Sequence, residues 1–336
     1  MYLQDFLKTI ILPLNNESEY ITSFQEEARM IKYLLKRIGA AVITLFVAAT
    51  LTFFIMNLVP GDPFLSDKAP TEEAREQLRA KYGLDRPLMV QYGNYMNNLL
   101  HGDFGVSYVQ AKNKPIKDII ATSFPISARV GAIAIAVAFC LGVPLGCISA
   151  LRREKLQDNI IRVLSTLGVA IPGFLIATLL MLVFGAKLKW FPISGIKKAS
   201  GYVLPVIALS LSPMSYIARL MRSSMLDALG QDYIRTARAK GMTTYVTTFK
   251  HALRNSILPV ITYMAPMIAN ILTGGFVVEK IFNIPGMGSY FVKSIQSRDY
   301  TIIMGTTIFY AAILILCSLI CDIIYKLVDP RIKLTA

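Results

Sequence analysis

Histidine is scarce in this sequence, and its scarcity limits the chemistry that the chain can carry. Only His101 and His251 occur among the 336 residues. They fall in two polar segments on opposite sides of the apolar spans described below, so no His-based catalytic dyad is expected. The sequence also has no H-E-x-x-H pattern and no cluster of metal-ligand residues. These absences argue against a membrane enzyme, and we predict no catalytic residue and no bound metal.

The sequence also lacks the phosphate-binding loop G-x-x-x-x-G-K-S/T. In that loop, backbone N–H groups and a lysine cradle the phosphates of ATP. The chain is therefore not expected to bind ATP by this route. Any ATP-driven activity would take its energy from a partner.

Charged residues are few, at 17% of the sequence, whereas hydrophobic residues make up 54% and the mean hydropathy is +0.52. A soluble chain needs more polar surface than this composition supplies. Cys140, Cys147, Cys317 and Cys321 all lie in apolar stretches, where a thiol behaves as a small hydrophobe. Cys317 and Cys321 share a helix face, but no histidine or third cysteine accompanies them, so packing is favoured over a metal site.

Six stretches are long and apolar enough to cross a membrane. Ile38–Val59 has 22 residues without a charge, and its length of about 33 Å exceeds a hydrocarbon core of roughly 30 Å. The others are Val130–Ala150, Val163–Ala186, Tyr202–Met221, Ile257–Val278 and Thr301–Val328. The sequence therefore predicts an all-α integral membrane protein of about six transmembrane helices. Prolines in or near the spans, Pro172 among them, are expected to kink these helices without breaking them.

Basic residues are concentrated in the loops on one side of the predicted spans. The segment from Arg219 to Arg254 alone carries seven lysines and arginines, which places it and both termini in the cytoplasm. The opposite loop from Lys187 to Lys198 has four lysines, so the longer segment decides the orientation. The net charge of +14 is spread over loops without interleaved aromatics, which indicates contact with anionic lipid and argues against nucleic acid.

The spans divide the chain into four regions. Residues 1–37 are an N-terminal extension, expected to form membrane-surface or cytoplasmic helices or else a partly ordered tail. Residues 38–59 are the first transmembrane helix, and residues 60–125 are an outer segment with a helix at Thr71–Tyr82 that Gly83 ends. This outer segment is too small to bury much core alone, so we expect it to pack on the spans or on a partner. Residues 126–336 are expected to form a core of the other five transmembrane helices.

The segment 222–255 between the fourth and fifth spans is expected to form a helical corner. Asp227–Lys240 contains good helix formers, Gly241 provides a left-handed stop, and Thr243 or Thr244 can cap a second helix that runs to Arg254. Such a basic corner is suited to gripping another protein. The alternative from these residues alone is a helical loop that rests on lipid headgroups.

Residues 232–241, Asp-Tyr-Ile-Arg-Thr-Ala-Arg-Ala-Lys-Gly, resemble the cytoplasmic coupling motif of ABC importer permeases, in the form used by the oligopeptide and dipeptide permease family. Further motifs of that family follow in the same order. They are Pro60-Gly61-Asp62-Pro63, Tyr82-Gly83-Leu84-Asp85-Arg86-Pro87, Gly102-Asp103-Phe104-Gly105, His251-Ala252-Leu253-Arg254-Asn255, Ile284-Pro285-Gly286-Met287-Gly288, Arg298-Asp299-Tyr300 and Asp329-Pro330-Arg331. The resemblance extends from about Ile31 to the C-terminus.

Two positions depart from the general importer motif. A Glu-Ala-Ala triplet usually begins six residues before the glycine, where this chain has Arg235, Thr236 and Ala237. A Leu-Pro pair usually follows twelve and thirteen residues after it, where this chain has Leu253 and Arg254. Both departures are familiar in the peptide branch, so they indicate the subfamily and leave the implied coupling role intact.

The resemblance implies a transmembrane permease subunit of an ATP-driven importer for short peptides, working by alternating access. The implied partners are a homologous second permease subunit, two ATPase subunits and an external solute-binding protein. ATP and Mg would be held by the ATPase subunits, with no cofactor bound by this chain. The implied location is the cell membrane of a bacterium or archaeon.

Two sets of site residues are carried over from the resemblance. The ATPase-coupling set is Arg235, Thr236, Ala237, Arg238, Ala239, Lys240 and Gly241. The outer set, expected at the external gate or in contact with the solute-binding protein, is Pro285, Gly286, Gly288, Arg298, Asp299 and Tyr300.

Two alternative functions stay open at this stage. Permeases for nickel chelates or glutathione share these motifs. A secondary transporter would need ionisable groups deep in a span. The charged residues nearest the apolar stretches lie by span ends, where snorkelling is more typical than proton relay; they are Arg129, Arg162, Arg219, Asp322 and Lys326.

Overall fold

The computed structural model describes residues 17–58, 64 and 71–328. Within these residues the regular structure is helical, apart from one isolated bridge between Val106 and Pro115. The helices up to the corner are α1 (Glu17–Leu58), α2 (Glu72–Tyr82), α3 (Leu88–Leu100), α4 (Ile116–Leu151), α5 (Leu156–Ala170), α6 (Gly173–Leu180) and α7 (Val203–Leu229). Those that follow are α8 (Asp232–Ala239), α9 (Thr244–Val246), α10 (Leu253–Ser256), α11 (Leu258–Ile281), α12 (Met287–Ser297) and α13 (Tyr300–Val328).

The predicted all-α membrane fold is confirmed. Among the described residues, four helical stretches are long and apolar enough to cross a membrane: Leu35–Leu58, Ile116–Leu151, Ala199–Leu229 and Tyr300–Ile320. A bent pair, Leu156–Ala170 with Gly173–Lys187, has the length and composition of a fifth. The stretch predicted as Ile257–Val278 is helical as well, as the 24-residue α11.

The third predicted span, Val163–Ala186, is broken at Pro172. The axes of its two arms differ by 102°, and Ile171 between them has an extended backbone at φ −84° and ψ 125°. A proline disfavours helical geometry at the residue before it and has no N–H to continue the hydrogen-bond ladder. The prediction of a kink at this position was therefore wrong. Pro144 and Pro213, in contrast, lie inside the continuous helices α4 and α7.

The two ends of the chain are only partly described. Residues 1–16 of the predicted N-terminal extension lie outside the described residues, as do the motifs Pro60–Pro63 and Asp329–Arg331. From Glu17 onward the extension is helical and continues without interruption into the first span as α1. The extension and the first span thus form one helix over the described part.

The centre of the bundle is the contact between α4 and α7, which approach closely through two glycines of α4. A Cβ atom on Gly142 would lie 2.9 Å from the carbonyl oxygen of Met214, and one on Gly146 would lie 2.6 Å from that of Ala218. Small residues allow membrane helices to approach at backbone distance. Ile217, which is completely buried, belongs to the apolar core around this contact.

The outer segment packs against the ends of the spans. Helix α2 begins as the sequence predicts, with Thr71 accepting a hydrogen bond from the Ala74 N–H, and ends at Gly83 in the left-handed conformation. Tyr92 and Tyr95 of α3 place their ring centroids 5.4 Å from that of Phe53 in α1. Helix α4 begins at Ile116, so the last turns of the segment predicted as 60–125 already belong to the second spanning helix.

Candidate functional site

The predicted coupling segment has two helical arms, α8 before Gly241 and the helical stretch from Thr244 to Ser256 after it. Helix α7 ends at Leu229, and α8 begins at Asp232 after Gly230 and an extended Gln231. The sequence predicted one helix over Asp227–Lys240, and the structure divides it at Gly230. The second arm is capped as predicted, because the Val246 N–H donates to Thr243 Oγ1 at 3.4 Å.

One face of α8 is buried and the other is exposed. Ile234 is completely buried and Ala237 is 6% exposed, and these two residues anchor the helix. The other members of the coupling set, Arg235, Thr236, Arg238, Ala239, Lys240 and Gly241, are all exposed. Asp232 lies 3.6 Å from Arg235 across one helical turn, but both side chains are largely exposed, so this ion pair contributes little to stability.

Gly241 ends the corner's first helix in a left-handed conformation, with φ at +76°. The N–H groups of Gly241 and Met242 donate to the carbonyl oxygens of Arg238 and Ala237, at 3.0 and 3.2 Å. A Cβ atom at Gly241 would meet nothing within 4 Å. The requirement for glycine is therefore conformational and does not come from crowding.

An exposed aromatic pair beside the corner was not assigned from the sequence. Tyr245 and Phe249 are 71% and 48% exposed, and their ring centroids are 4.6 Å apart. Their spacing of four residues in a helical segment was the available signal. Exposed aromatic side chains of this kind are common in protein interfaces.

A buried ion pair fixes the helix that leads into the corner. Asp158 of α5 is completely buried and accepts hydrogen bonds from Arg222 Nε at 2.7 Å and Arg222 Nη2 at 2.8 Å. Asp158 also accepts from Ser149 Oγ of α4 at 2.6 Å. The carboxylate thus ties α4, α5 and α7 together within two turns of the corner. This ion pair was not predicted from the sequence, because partners 64 positions apart carry no local pattern.

Asp299 of the outer set is buried and holds a distant loop. Its carboxylate accepts hydrogen bonds from Ser107 Oγ at 2.6 Å and from the backbone N–H groups of Tyr108, Val109 and Gln110 at 3.2, 3.0 and 3.0 Å. Burial, together with the nearby Asp299 charge, raises the pKa of Tyr108 to about 12. Asp299 therefore fastens the outer segment to the turn between α12 and α13.

The glycines of the outer set lie where side chains would not fit. A Cβ atom on Gly286 would be 2.6 Å from Ser127 Oγ, and one on Gly288 would be 2.5 Å from the Phe276 Cα. Glu279, which is 3% exposed, accepts a hydrogen bond from the Gly288 N–H at 2.9 Å. A carboxylate at this position is favoured by the positive end of α12. Glu279 was not singled out from the sequence, because a single acidic residue at the end of an apolar run is not distinctive.

The outer set therefore divides into two groups. Pro285 and Arg298 are exposed and available for contact, and Tyr300 is half-buried. Gly286, Gly288 and Asp299 are buried and hold the backbone in place. The 24-residue α11, about 36 Å long, lies between the corner and the outer set in the chain. In the described part of the chain, no group of acidic, histidine or cysteine side chains is arranged to hold a metal.

Close relatives cover nearly the whole chain. It is 47% identical over 305 residues to the dipeptide transport system permease protein DppB of Bacillus subtilis, covering 91% of this chain and 99% of that protein. It is 41% identical over 306 residues to the oligopeptide transport system permease protein OppB of Haemophilus influenzae, covering 90% of this chain and all of the relative.

The fold is also found among solved transporters. Two crystal forms of the MetNI methionine ABC transporter in inward-facing conformations contain a chain that matches with TM-scores of 0.51 and 0.52, at 15% identity, over 63% of this chain and 96% of that chain. At this identity the likeness shows the shared fold alone.

Two sequence families match consecutive parts of the chain. Residues 30–131 match the N-terminal part of membrane components of binding-protein-dependent transport systems. Residues 142–334 match the inner membrane component of such systems. With this coverage and with relatives above 40% identity, the chain belongs to the family of inner membrane components of binding-protein-dependent transport systems, the ABC importer permeases.

Proposed function

We propose that this chain is the transmembrane permease subunit of an ATP-driven importer for short peptides delivered by an external solute-binding protein. The observation that carries the proposal is the corner around α8. Its buried face, Ile234 and Ala237, fixes the helix to the bundle, and its exposed face presents Arg235, Arg238 and Lys240 to a partner. A helix held in this way can transmit a push from a partner to the spans behind it.

The partner at the corner is an ATPase subunit. Arg235 and Arg238 lie one turn apart on the exposed face of α8, and guanidinium groups form bidentate hydrogen bonds with carboxylates that lysine does not reproduce. Tyr245 and Phe249 add exposed aromatic surface next to them. The assembly comprises two ATPase subunits, which hold ATP and Mg, and a homologous second permease. Closure of the ATPase dimer moves the corner, and the ion pair of Asp158 with Arg222 carries this movement into α4 and α5.

The outer set forms the external mouth. Pro285 and Arg298 contact the solute-binding protein or the gate, while Asp299, Gly286 and Gly288 hold the backbone that presents them. In this orientation the corner and both termini lie in the cytoplasm of a bacterial or archaeal cell.

Short peptides are the substrate class that the relatives favour. The B. subtilis relative is a dipeptide permease and the H. influenzae relative an oligopeptide permease, and each is covered almost completely. Neither a nickel chelate nor glutathione has comparable support.

The test is transport by the reconstituted complex. The chain, its second permease, its ATPase subunits and its binding protein are placed in liposomes, and uptake of a labelled dipeptide is measured with ATP and with a non-hydrolysable analogue. We expect uptake that requires ATP hydrolysis and the binding protein. Peptide uptake by the permease alone, driven by a proton or sodium gradient, would contradict the proposal, as would uptake of glutathione or a nickel chelate in place of peptides.

A further inference from the structure

A polar stripe runs along one face of α7 and has no role in the corner or in the outer set. It consists of Ser212, Tyr216, Arg219 and Ser223, which recur at helical spacing, and the last three are exposed. Polar and ionisable side chains on a membrane-spanning helix are costly against lipid and face the bundle interior or a water-filled cavity. On α5, the apolar side chains of Val163 and Leu164 are 59% and 61% exposed.

Three residues of the stripe line an open cleft between α5 and α7. Tyr216, Arg219 and Ser223 of α7 face Arg162 and Thr166 of α5 across a space of about 410 Å³. On the other side, the ring of Tyr216 stacks on that of Tyr263 in α11, with their centroids 4.1 Å apart. Tyr216 thus joins the cleft, which α5 and α7 line, to an aromatic surface on α11.

The cleft carries unbalanced positive charge. Arg222 also lines it, but its guanidinium is held by Asp158 through two hydrogen bonds. Arg162 and Arg219 have no ion-pair partner within the part of the chain that the structure describes, and no acidic side chain lines the cleft there. Arg162 and Arg219 therefore bring two positive charges to one cleft.

We propose that this cleft lies on the peptide path and that Arg162 and Arg219 bind the C-terminal carboxylate of the peptide in transit. This inference rests on the proposed function and names the part of the substrate that the permease recognises. Every short peptide with a free C-terminus carries this carboxylate whatever its side chains, and arginine binds carboxylates through paired hydrogen bonds. The stacked Tyr216 and Tyr263 offer an apolar surface that tolerates many side chains.

The first test asks which side of α7 meets water. Ser212→Cys, Ser223→Cys and, as control, Val163→Cys are introduced into the full complex in membranes and exposed to a membrane-impermeant thiol reagent. Mass spectrometry of the peptide that carries each new cysteine then gives the extent of labelling. We expect labelling at the two stripe positions and little at Val163→Cys. Labelling at Val163→Cys with protection of both stripe positions would place the stripe against lipid or the second permease and overturn the inference.

The second test uses a peptide and its C-terminal amide, at concentrations matched for occupancy of the binding protein. In the reconstituted complex with Arg162→Gln and Arg219→Gln together, we expect uptake of the free acid to fall on the order of tenfold, since hydrogen bonds between charged groups are lost. Uptake of the amide should change less than twofold. The control Arg153→Gln, on an exposed loop, should leave both unchanged.

If the double variant fails to assemble, the single variants Arg219→Gln and Arg219→Lys replace it in the uptake measurement. The side chain of Arg219 is exposed. The lysine variant should transport the free acid better than the glutamine variant, because it keeps the positive charge. Suppose that the wild type shows ATP-driven uptake. An equal fall in uptake of the free acid and the amide in the variants, or no fall in either, would then overturn the carboxylate assignment. If the wild-type complex takes up neither peptide, the proposed function fails and this inference fails with it.

Discussion

The carboxylate of Asp299 accepts a hydrogen bond from the hydroxyl of Ser107 at 2.6 Å, although the two residues are 192 positions apart in the chain. Both side chains are completely buried. This contact joins the outer segment between the first two spans to the turn before the last span. The region around Asp299 is thus assembled from two parts of the chain that no local motif connects.

The contact predicts the effect of Asp299→Asn. The amide replaces one acceptor oxygen with an NH₂ group that faces donors, so a buried hydrogen-bond cluster loses partners. We expect a loss of about 2 kcal/mol in stability, measured as a lower thermal unfolding temperature in detergent. Asp85→Asn, at an exposed aspartate of the same outer region, is the control and should unfold like the wild type. Equal unfolding temperatures for Asp299→Asn and the wild type would show that this hydrogen-bond cluster does not stabilise the fold.

Gly288→Ala tests the tight contact at the start of α12. The new Cβ atom would lie 2.5 Å from the Phe276 Cα, and relieving such overpacking costs about 1–3 kcal/mol. We expect reduced peptide uptake, together with a lower unfolding temperature. Gly93→Ala is the matched control, since its Cβ meets nothing within 4 Å and its backbone is helical. Wild-type uptake and a wild-type unfolding temperature for Gly288→Ala would show that this close approach is not required for transport or stability.

Asp158→Asn tests the buried ion pair behind the corner. Removal of one partner of a buried pair leaves the other charge uncompensated, and we expect destabilisation on the order of 3 kcal/mol. The double variant Asp158→Leu with Arg222→Met should recover part of the lost stability, because no charge is then left unpaired. Chemical unfolding of the purified chain measures both. If the double variant is less stable than Asp158→Asn, the pair adds more to stability than the mutual neutralisation of its two charges.

Gly241→Val tests the left-handed backbone at the end of α8. A β-branched residue at φ +76° costs about 1 kcal/mol or more locally and should misplace the corner. We expect lower peptide uptake and weaker stimulation of ATP hydrolysis. Gly241→Asn is the control, because asparagine tolerates this conformation better than other residues. Equal activity in the two variants would mean that the backbone conformation at Gly241 is not required.

Local features of the fold could be predicted from the sequence and distant ones could not. Thr71 and Gly83 bound α2 as predicted, and Thr243 caps the second arm of the corner, because caps depend on residues within one turn. The break at Pro172 was read as a kink, since a proline inside an apolar run leaves both outcomes open. The apolar length of Val163–Ala186 favoured a single span, whereas the structure bends the chain by 102° there.

In the candidate sites, too, local features could be predicted from the sequence and distant contacts could not. Motif resemblance placed Asp299 near the external mouth, but its hydrogen bonds to residues 107–110 depend on tertiary structure that spacing does not encode. Likewise, the sequence does not show that Arg222 meets Asp158 or that Arg162 and Arg219 line the same cleft. The exposed face of α8 is the part of the site that helical periodicity alone comes closest to predicting.

The double variant Arg235→Ala with Arg238→Ala tests whether the corner couples this permease to an ATPase. Peptide uptake and ATP hydrolysis are measured in the same proteoliposomes, with Arg153→Ala as the control for loss of an exposed arginine. Both side chains are exposed, so the chain should insert and fold normally. We expect the double variant to lose uptake and the stimulation of ATP hydrolysis by the loaded binding protein, while the control keeps both. Normal uptake and normal stimulation in the double variant would show that Arg235 and Arg238 do not couple the permease to the ATPase.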